Sequence, residues 1–167
     1  MNIKYRFAKE EDKDSINYLF IDMIKTVNKR MIENGVEPYL ELENGYKEGE
    51  LDSFFIDDEN KIFVAEVNGV VVGFLSVCMN KELDYLYLDD YCVATKFRGN
   101  GIGSRLLNLA EEYALKFGIN NINAHVESSN YESRNFYERK GFSVLSDDGN
   151  RLAINKKVLA EEVKYVK

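Results

Sequence analysis

Residues 91–103, Tyr91-Cys92-Val93-Ala94-Thr95-Lys96-Phe97-Arg98-Gly99-Asn100-Gly101-Ile102-Gly103, decide how this chain folds. A run of strand-type residues passes one arginine and alternating glycines. It then enters a segment that places Ile102, Leu106, Leu109, Ala110, Tyr113 and Phe117 on one face. That spacing predicts a helix, which Gly118 is placed to end. Glycines let a backbone curl closely around an anion, and the first N–H groups of a helix have no intrahelical acceptor. Donors and a partial positive charge therefore converge on one point, an arrangement suited to a pyrophosphate. The candidate anion-binding residues are Arg98, Gly99, Asn100, Gly101, Ile102, Gly103 and Ser104, with Arg105 in the same helical turn.

Upstream, Ile3 to Ala8 has strand character. The acidic stretch Glu10 to Asp14 precedes apolar residues at Ile16, Leu19, Phe20, Met23, Ile24, Val27 and Met31, a helical spacing with negative charge at its favoured end. A second, weaker helix is expected after Pro38, through Leu42 and Tyr46 toward Phe54, interrupted near Gly45 or Gly49. From Lys61 the period changes. Ile62 to Val67, Asn68-Gly69, and Val70 to Met79 predict a hairpin with a two-residue turn, and Tyr85 to Val93 a third strand.

Beyond the helix, Ile119 to Val126 returns as a strand. Ser129 (with Glu132 three residues on) and Asn130 offer two caps for a short helix to Lys140, which Gly141 closes. Phe142 to Leu145, a turn at residues 147–150, and Arg151 to Ile154 form a last hairpin. The order predicts one α/β domain over residues 1–167, with a mixed, mostly antiparallel sheet of about six to seven strands. Helices are expected on both faces.

Other phosphate motifs fit poorly. The Gly-Lys-Ser/Thr end of a phosphate-binding nucleotidase loop is missing, and counts for Gly-x-Gly-x-x-Gly end on Ser104 or Leu106. Glu127 does lie where a ribose-binding acid would, which keeps a methyltransferase or dinucleotide enzyme as an alternative. Only 64 residues follow Gly103, however, too few to finish a doubly wound sheet.

The net charge of −7 argues against a nucleic-acid partner and is compatible with a cationic substrate. No apolar run reaches the roughly 20 residues of a membrane helix, and the start lacks an apolar signal core, so no membrane association and a cytoplasmic location are expected. Cys78 and Cys92 lie in apolar runs without metal-ligand spacing and are expected to be buried thiols. A lone histidine, His125, cannot build a metal site; no metal is expected, and a structural or partly buried role is expected for the residue. Tyr85, Tyr87 and Tyr91 share one strand parity.

Taken together, these motifs resemble the GCN5-related N-acetyltransferases. Arg98, Gly101 and Gly103 match that family's phosphate loop, with Val93 at the usual distance before it. Asn130-x-x-Ser133-x-x-Phe136-Tyr137-x-x-x-Gly141-Phe142 is similar to its second signature. The resemblance is tightest over residues 61–145, and Thr95 departs from it where many members have proline. It implies an acyl-CoA N-acyltransferase-like fold with acetyl-CoA as acyl donor, and a pantetheine arm paired with the strand end Tyr91, Cys92 and Val93. It also implies a strand bulge near Val93, contacts from Asn130 and Ser133, and Tyr137 as general acid. Asp89 and Asp90 become the candidates for base or substrate anchor. Adjacent strand residues point to opposite faces, so one of the two is expected in the cleft.

The string Leu88-Asp89-Asp90-Tyr91-Cys92-Val93 is similar to polyamine acetyltransferases, which implies a small cationic amine as acceptor. A non-catalytic acyl-CoA sensor on the same fold is the other alternative. The resemblance leaves the oligomeric state open, a homodimer being common among such proteins.

Overall fold

In the computed structural model, which describes residues 1–159, β1 (Ile3–Phe7) leads through a short 3-10 turn into α1 (Lys13–Glu33). Then come β2 (Asn60–Val67), β3 (Val70–Asn80), β4 (Tyr85–Val93), α2 (Ile102–Lys116), β5 (Asn121–Glu127), α3 (Tyr131–Arg139), β6 (Ser143–Asp147) and β7 (Arg151–Lys157). The described strands make one sheet in the order β1-β2-β3-β4-β5-β7-β6. Every neighbour is antiparallel except β4 and β5. This is the expected mixed sheet, and it is not a doubly wound parallel one. No described helix is long and apolar enough to cross a membrane.

Two cores flank the sheet. On one face Ile16, Leu19, Phe20 and Ile24 of α1 cover Ile62, Val64, Val71, Phe74 and Cys92. On the other, Ile102, Leu106, Leu107, Ala110 and Tyr113 of α2, with Tyr137 of α3, pack on Leu75, Val77, Leu86, Leu88, Ile122 and Ile154. Each such aliphatic side chain stabilises the fold by about 1.5–3 kcal/mol relative to exposure, so the periodic apolar faces suffice to dock both helices. The β2–β3 turn has Asn68 at φ 51° and Gly69 at φ 79°, the left-handed pair that a tight hairpin requires.

The weaker helix expected after Pro38 is absent. Residues 40–44 and 52–55 form two separate 3-10 turns, with Gly45 and Gly49 in left-handed conformations between them. Leu40 and Leu42 are exposed, so the first turn has no apolar stripe to bury, whereas Leu51 is buried in the α1-side core with Tyr46, Phe54 and Phe55 packed against it. Side chains of α1 also fix the segment. Buried Asn28 accepts from the Tyr39 N–H at 2.8 Å and donates to the Tyr39 carbonyl at 3.1 Å, and Asn17 accepts from the Tyr46 N–H at 2.8 Å.

The parallel β4–β5 pairing covers only Leu86–Leu88 against Ile122–Ala124. Beyond Leu88 the two strands part. β4 stays with β3, while β5 stays with β7 as far as Glu127.

Candidate active site

A bulge marks the point of parting. On β3, Leu75 opposes Tyr91 and Val77 opposes Leu88, so Ser76 alone faces both Asp89 and Asp90. The buried Ser76 hydroxyl accepts from the Asp90 N–H at 2.9 Å and closes this irregularity. The bulge was expected near Val93 and lies earlier. It also changes the alternation along the strand: Leu86 and Leu88 pack toward α2, and so do Tyr91 and Val93. Asp89 and Asp90 therefore both turn to the α1 face, where opposite faces were expected. For the same reason Tyr91 leaves the side shared by Tyr85 and Tyr87.

The end of β4 is an open edge toward β5. The Ala94 N–H bonds to the Val72 carbonyl at 2.8 Å, which fixes the phase of the ladder: residues 92 and 94 bond toward β3. Tyr91 and Val93 then direct their N–H and C=O groups into the gap that β5 has vacated. Arg98 already uses part of this edge, its Nε donating to the Val93 carbonyl at 3.3 Å.

The chain next turns through residues 95–97 to α2, with Gly99 at φ 80° and Gly101, the N-cap of the helix, at φ 75°. A side chain at either glycine would find space but not a comfortable backbone. The Arg105 N–H bonds to the Gly101 carbonyl at 3.0 Å, so the amides of Ile102, Gly103 and Ser104 precede the first helical bond and have no intrahelical acceptor. The half-buried Tyr91 hydroxyl donates to the Gly103 carbonyl, tying the strand end to the helix start.

Opposite stands α3. Asn130 is its cap, accepting from the Ser133 N–H at 3.1 Å, so the choice between Ser129 and Asn130 falls to the latter. Tyr137 is buried among aromatic rings, 5.1 Å from Phe142, 5.5 Å from Phe136 and 6.3 Å from Tyr91 between centroids. Burial raises its pKa, and the nearby Tyr87 phenol raises it further, so the hydroxyl keeps its proton at neutral pH.

Tyr91, Cys92, Val93, Arg98, Gly99, Gly101, Ile102, Gly103, Ser104, Asn130, Ser133 and Tyr137 all line one cleft of about 480 Å³. Asn100 does not line it. Its side-chain amide folds back on the carbonyls of Phe97 (2.9 Å) and Arg98 (3.3 Å). The α1 side of the cleft was not singled out from the sequence: Met23, Thr26, Val27 and Arg30 wall it. Arg30 reaches Glu127 at 3.3 Å, so the acid at the position of a ribose ligand is held in an ion pair.

On the α1 face, Asp90 is a half-buried carboxylate whose Oδ2 accepts from the Tyr46 hydroxyl at 2.6 Å. Desolvation, then the neighbouring Asp89, push its pKa up to about 6, against the lowering effect of the Tyr46 bond. Desolvation and Glu50 raise Asp89 as well. Neither aspartate lines the cleft. Cys92 is buried as expected, its thiol pushed up to about 12, whereas Cys78 is partly exposed. His125 is exposed on β5 rather than partly buried, with its Nδ1 2.8 Å from the Tyr87 hydroxyl.

Comparison with known proteins identifies the family. The model of the acetyltransferase (GNAT) family matches residues 27–142. The uncharacterized N-acetyltransferase YhfO of Bacillus subtilis is 30% identical over 148 residues, 85% of this chain and 89% of the relative. An uncharacterized N-acetyltransferase of Methanocaldococcus jannaschii is 38% identical over 90 residues, 51% of this chain but only 40% of that protein's length. Another, from Archaeoglobus fulgidus, is 33% identical over 87 residues, 48% of this chain and 58% of the relative. Among solved structures, the PaiA N-acetyltransferase of Thermoplasma acidophilum in complex with coenzyme A superposes with a TM-score of 0.76 at 19% identity, over 94% of this chain and 99% of the other. With the parted strands, the glycine loop and the α3 tyrosine in one cleft, the chain belongs to the GNAT family of acetyltransferases.

Proposed function

We propose that the protein is an N-acetyltransferase that moves the acetyl group of acetyl-CoA to a primary amine of a small cationic molecule. One observation carries the reading. The open edge of β4 at Tyr91–Val93 runs directly into the amides of Ile102–Ser104, and Tyr137 lines the same cleft. An extended amide-containing arm can add to such an edge as a strand does, and a diphosphate suits the helix N-terminus beyond it. The residues present thus fit coenzyme A.

Acetyl-CoA supplies a thioester whose carbonyl carbon accepts the amine. The chain has three tasks around it. Main-chain donors at Tyr91 and Val93 orient the arm and polarise the developing oxyanion. Tyr137, kept protonated by its burial, donates its hydroxyl proton to the sulfur as the C–S bond breaks. Asp89 and Asp90, with Glu50 beside them, form an acidic patch that anchors the ammonium of the acceptor.

Two measurements test this. Isothermal titration with acetyl-CoA, S-adenosylmethionine and NAD should give saturable binding for the first alone. Thiol release in the presence of spermidine, simple diamines and aminoglycosides should then exceed that with acetyl-CoA by itself. Binding without amine-dependent release would mark a sensor and overturn the enzymatic reading.

A further inference from the structure

The apolar pattern of the α2-side core is broken at two positions, and the two breaks meet. Along β7, Leu152 and Ile154 turn to that core, as does Val158 beyond the strand. Lys156 continues the same alternation, opposite the buried Ile122 of β5. Along α2, Leu107, Glu111 and Ala114 share one buried stripe. Glu111 keeps only 3% of its side-chain surface and Lys156 16%, and the Lys156 Nζ donates to Glu111 Oε1 at 2.9 Å.

Such a pair is a poor source of stability. Taking two charges out of water offsets most of their attraction, and well-packed apolar side chains of similar volume serve a core equally well or better. What the pair adds is a directional bond of one length between two backbones. A pattern broken on both sides of one contact points to function.

Its position says which function. The Lys156 stem runs against the turn that ends α3: a Cβ on Gly141 would meet the lysine Cε at 3.5 Å and Cδ at 3.8 Å. That turn is bonded directly to Tyr137, whose carbonyl accepts from the Phe142 N–H at 3.0 Å and whose ring stands 5.1 Å from the Phe142 ring. Glu111 thus holds Lys156, and Lys156 supports the end of α3 that carries Tyr137. The start of α2 is secured separately, by the Tyr91 hydroxyl on the Gly103 carbonyl.

We infer that Glu111 and Lys156 are positioning residues for Tyr137, their bond fixing where its hydroxyl stands in the cleft. The inference rests on the acetyl-transfer reading. Neither side chain lines the cleft, and both act through the tyrosine. Proton donation is sensitive to such placement, a shift of about 1 Å costing up to about 100-fold in rate.

The test uses the full chain. Lys156→Met alone strips a buried carboxylate of its partner and endangers the fold, so Glu111→Leu is combined with it. This double variant should melt at or above the parent's temperature and bind acetyl-CoA within about twofold by titration calorimetry, while kcat with spermidine falls by about 10–100-fold. In a Tyr137→Phe background the same double change should cost no further turnover. Parent-like kcat, or an equal further loss in the Tyr137→Phe background, overturns the inference while leaving acetyl transfer standing. A melting temperature that falls together with turnover marks the pair as merely structural and overturns it too. A crystal structure of the double variant without ligand gives a readout independent of turnover. The Tyr137 hydroxyl should move by about 1 Å from its place in the parent; a hydroxyl superimposable on the parent's overturns the inference. Absence of thiol release from the unsubstituted chain counts against acetylation of spermidine instead, and the crystals then decide alone.

Discussion

The Tyr46 hydroxyl lies 2.6 Å from Oδ2 of Asp90, so a side chain from the irregular segment after α1 holds a carboxylate on a central strand. Tyr46 in turn stacks on Phe20 of α1, with centroids 4.2 Å apart at 28°. The acidic patch and the segment above it are therefore one mechanical unit, and its pH behaviour follows.

The carboxyl of Asp90 titrates near 6 in the folded chain and near 4 when unfolded. Between those values the folded state binds more protons. The stability contributed by this group is full below about pH 4 and is lost as pH rises through 6. Asp90→Asn removes the buried charge, so its thermal midpoint should exceed that of the parent at pH 8 and match it near pH 4. The gain is on the order of 2 kcal/mol at most. The same variant should raise KM for a cationic amine. Equal midpoints at pH 8 would contradict the assignment.

Tyr46→Phe removes the donor that lowers the Asp90 pKa. The acid limb of kcat/KM for the amine should move to higher pH, and stability should fall by about 1.5–3 kcal/mol at pH 8, as for a hydrogen bond to a charged group. A pH profile superimposable on that of the parent would exclude this coupling.

Ser76→Ala leaves the Asp90 N–H without its partner at the bulge. The cost expected in urea unfolding is about 1–3 kcal/mol. Because the bulge sets which way Asp89 and Asp90 point, amine KM should rise while acetyl-CoA affinity holds. Loss of acetyl-CoA affinity alone would place the bulge's role elsewhere.

Tyr137→Phe keeps the ring in its aromatic nest and removes only the hydroxyl. Turnover should fall by about 100-fold or more, with acetyl-CoA affinity within about twofold of the parent by titration calorimetry. Unimpaired turnover would remove the general-acid role.

Gly101→Ala places a Cβ on a backbone at φ 75°. Strain of about 1–2 kcal/mol should appear in stability, and acetyl-CoA affinity should drop as the loop relaxes and redirects the amides of residues 102–104. Unchanged affinity would mean that those amides do not hold the diphosphate.

What could be read in the sequence had local causes. Asn68-Gly69 makes its own turn, the apolar periods of residues 16–31 and 102–117 make their own helices, and Gly99 and Gly101 mark left-handed backbone wherever they stand. The unread parts depend on distant partners. The bulge at Asp89 and Asp90 is closed by Ser76 on the neighbouring strand, and nothing within residues 85–93 announces it. Residues 38–55 look weakly helical, but their shape is set by Asn17 and Asn28 of α1. Arg30 enters the cleft through an ion pair with Glu127, 97 residues away, and His125 acquires its partner only when β4 and β5 pair. A parity argument along one strand fails wherever an extra residue is inserted, which is why both aspartates share a face.

The central claim concerns what the main chain beyond β4 holds, and a crystal structure of the chain with acetyl-CoA tests it most directly. The expected result has diphosphate oxygens within hydrogen-bonding distance of the amides of Ile102–Ser104. The pantetheine should lie along Tyr91–Val93, with the sulfur beside the Tyr137 hydroxyl. A diphosphate seated elsewhere, or a sulfur out of reach of that hydroxyl, would contradict it.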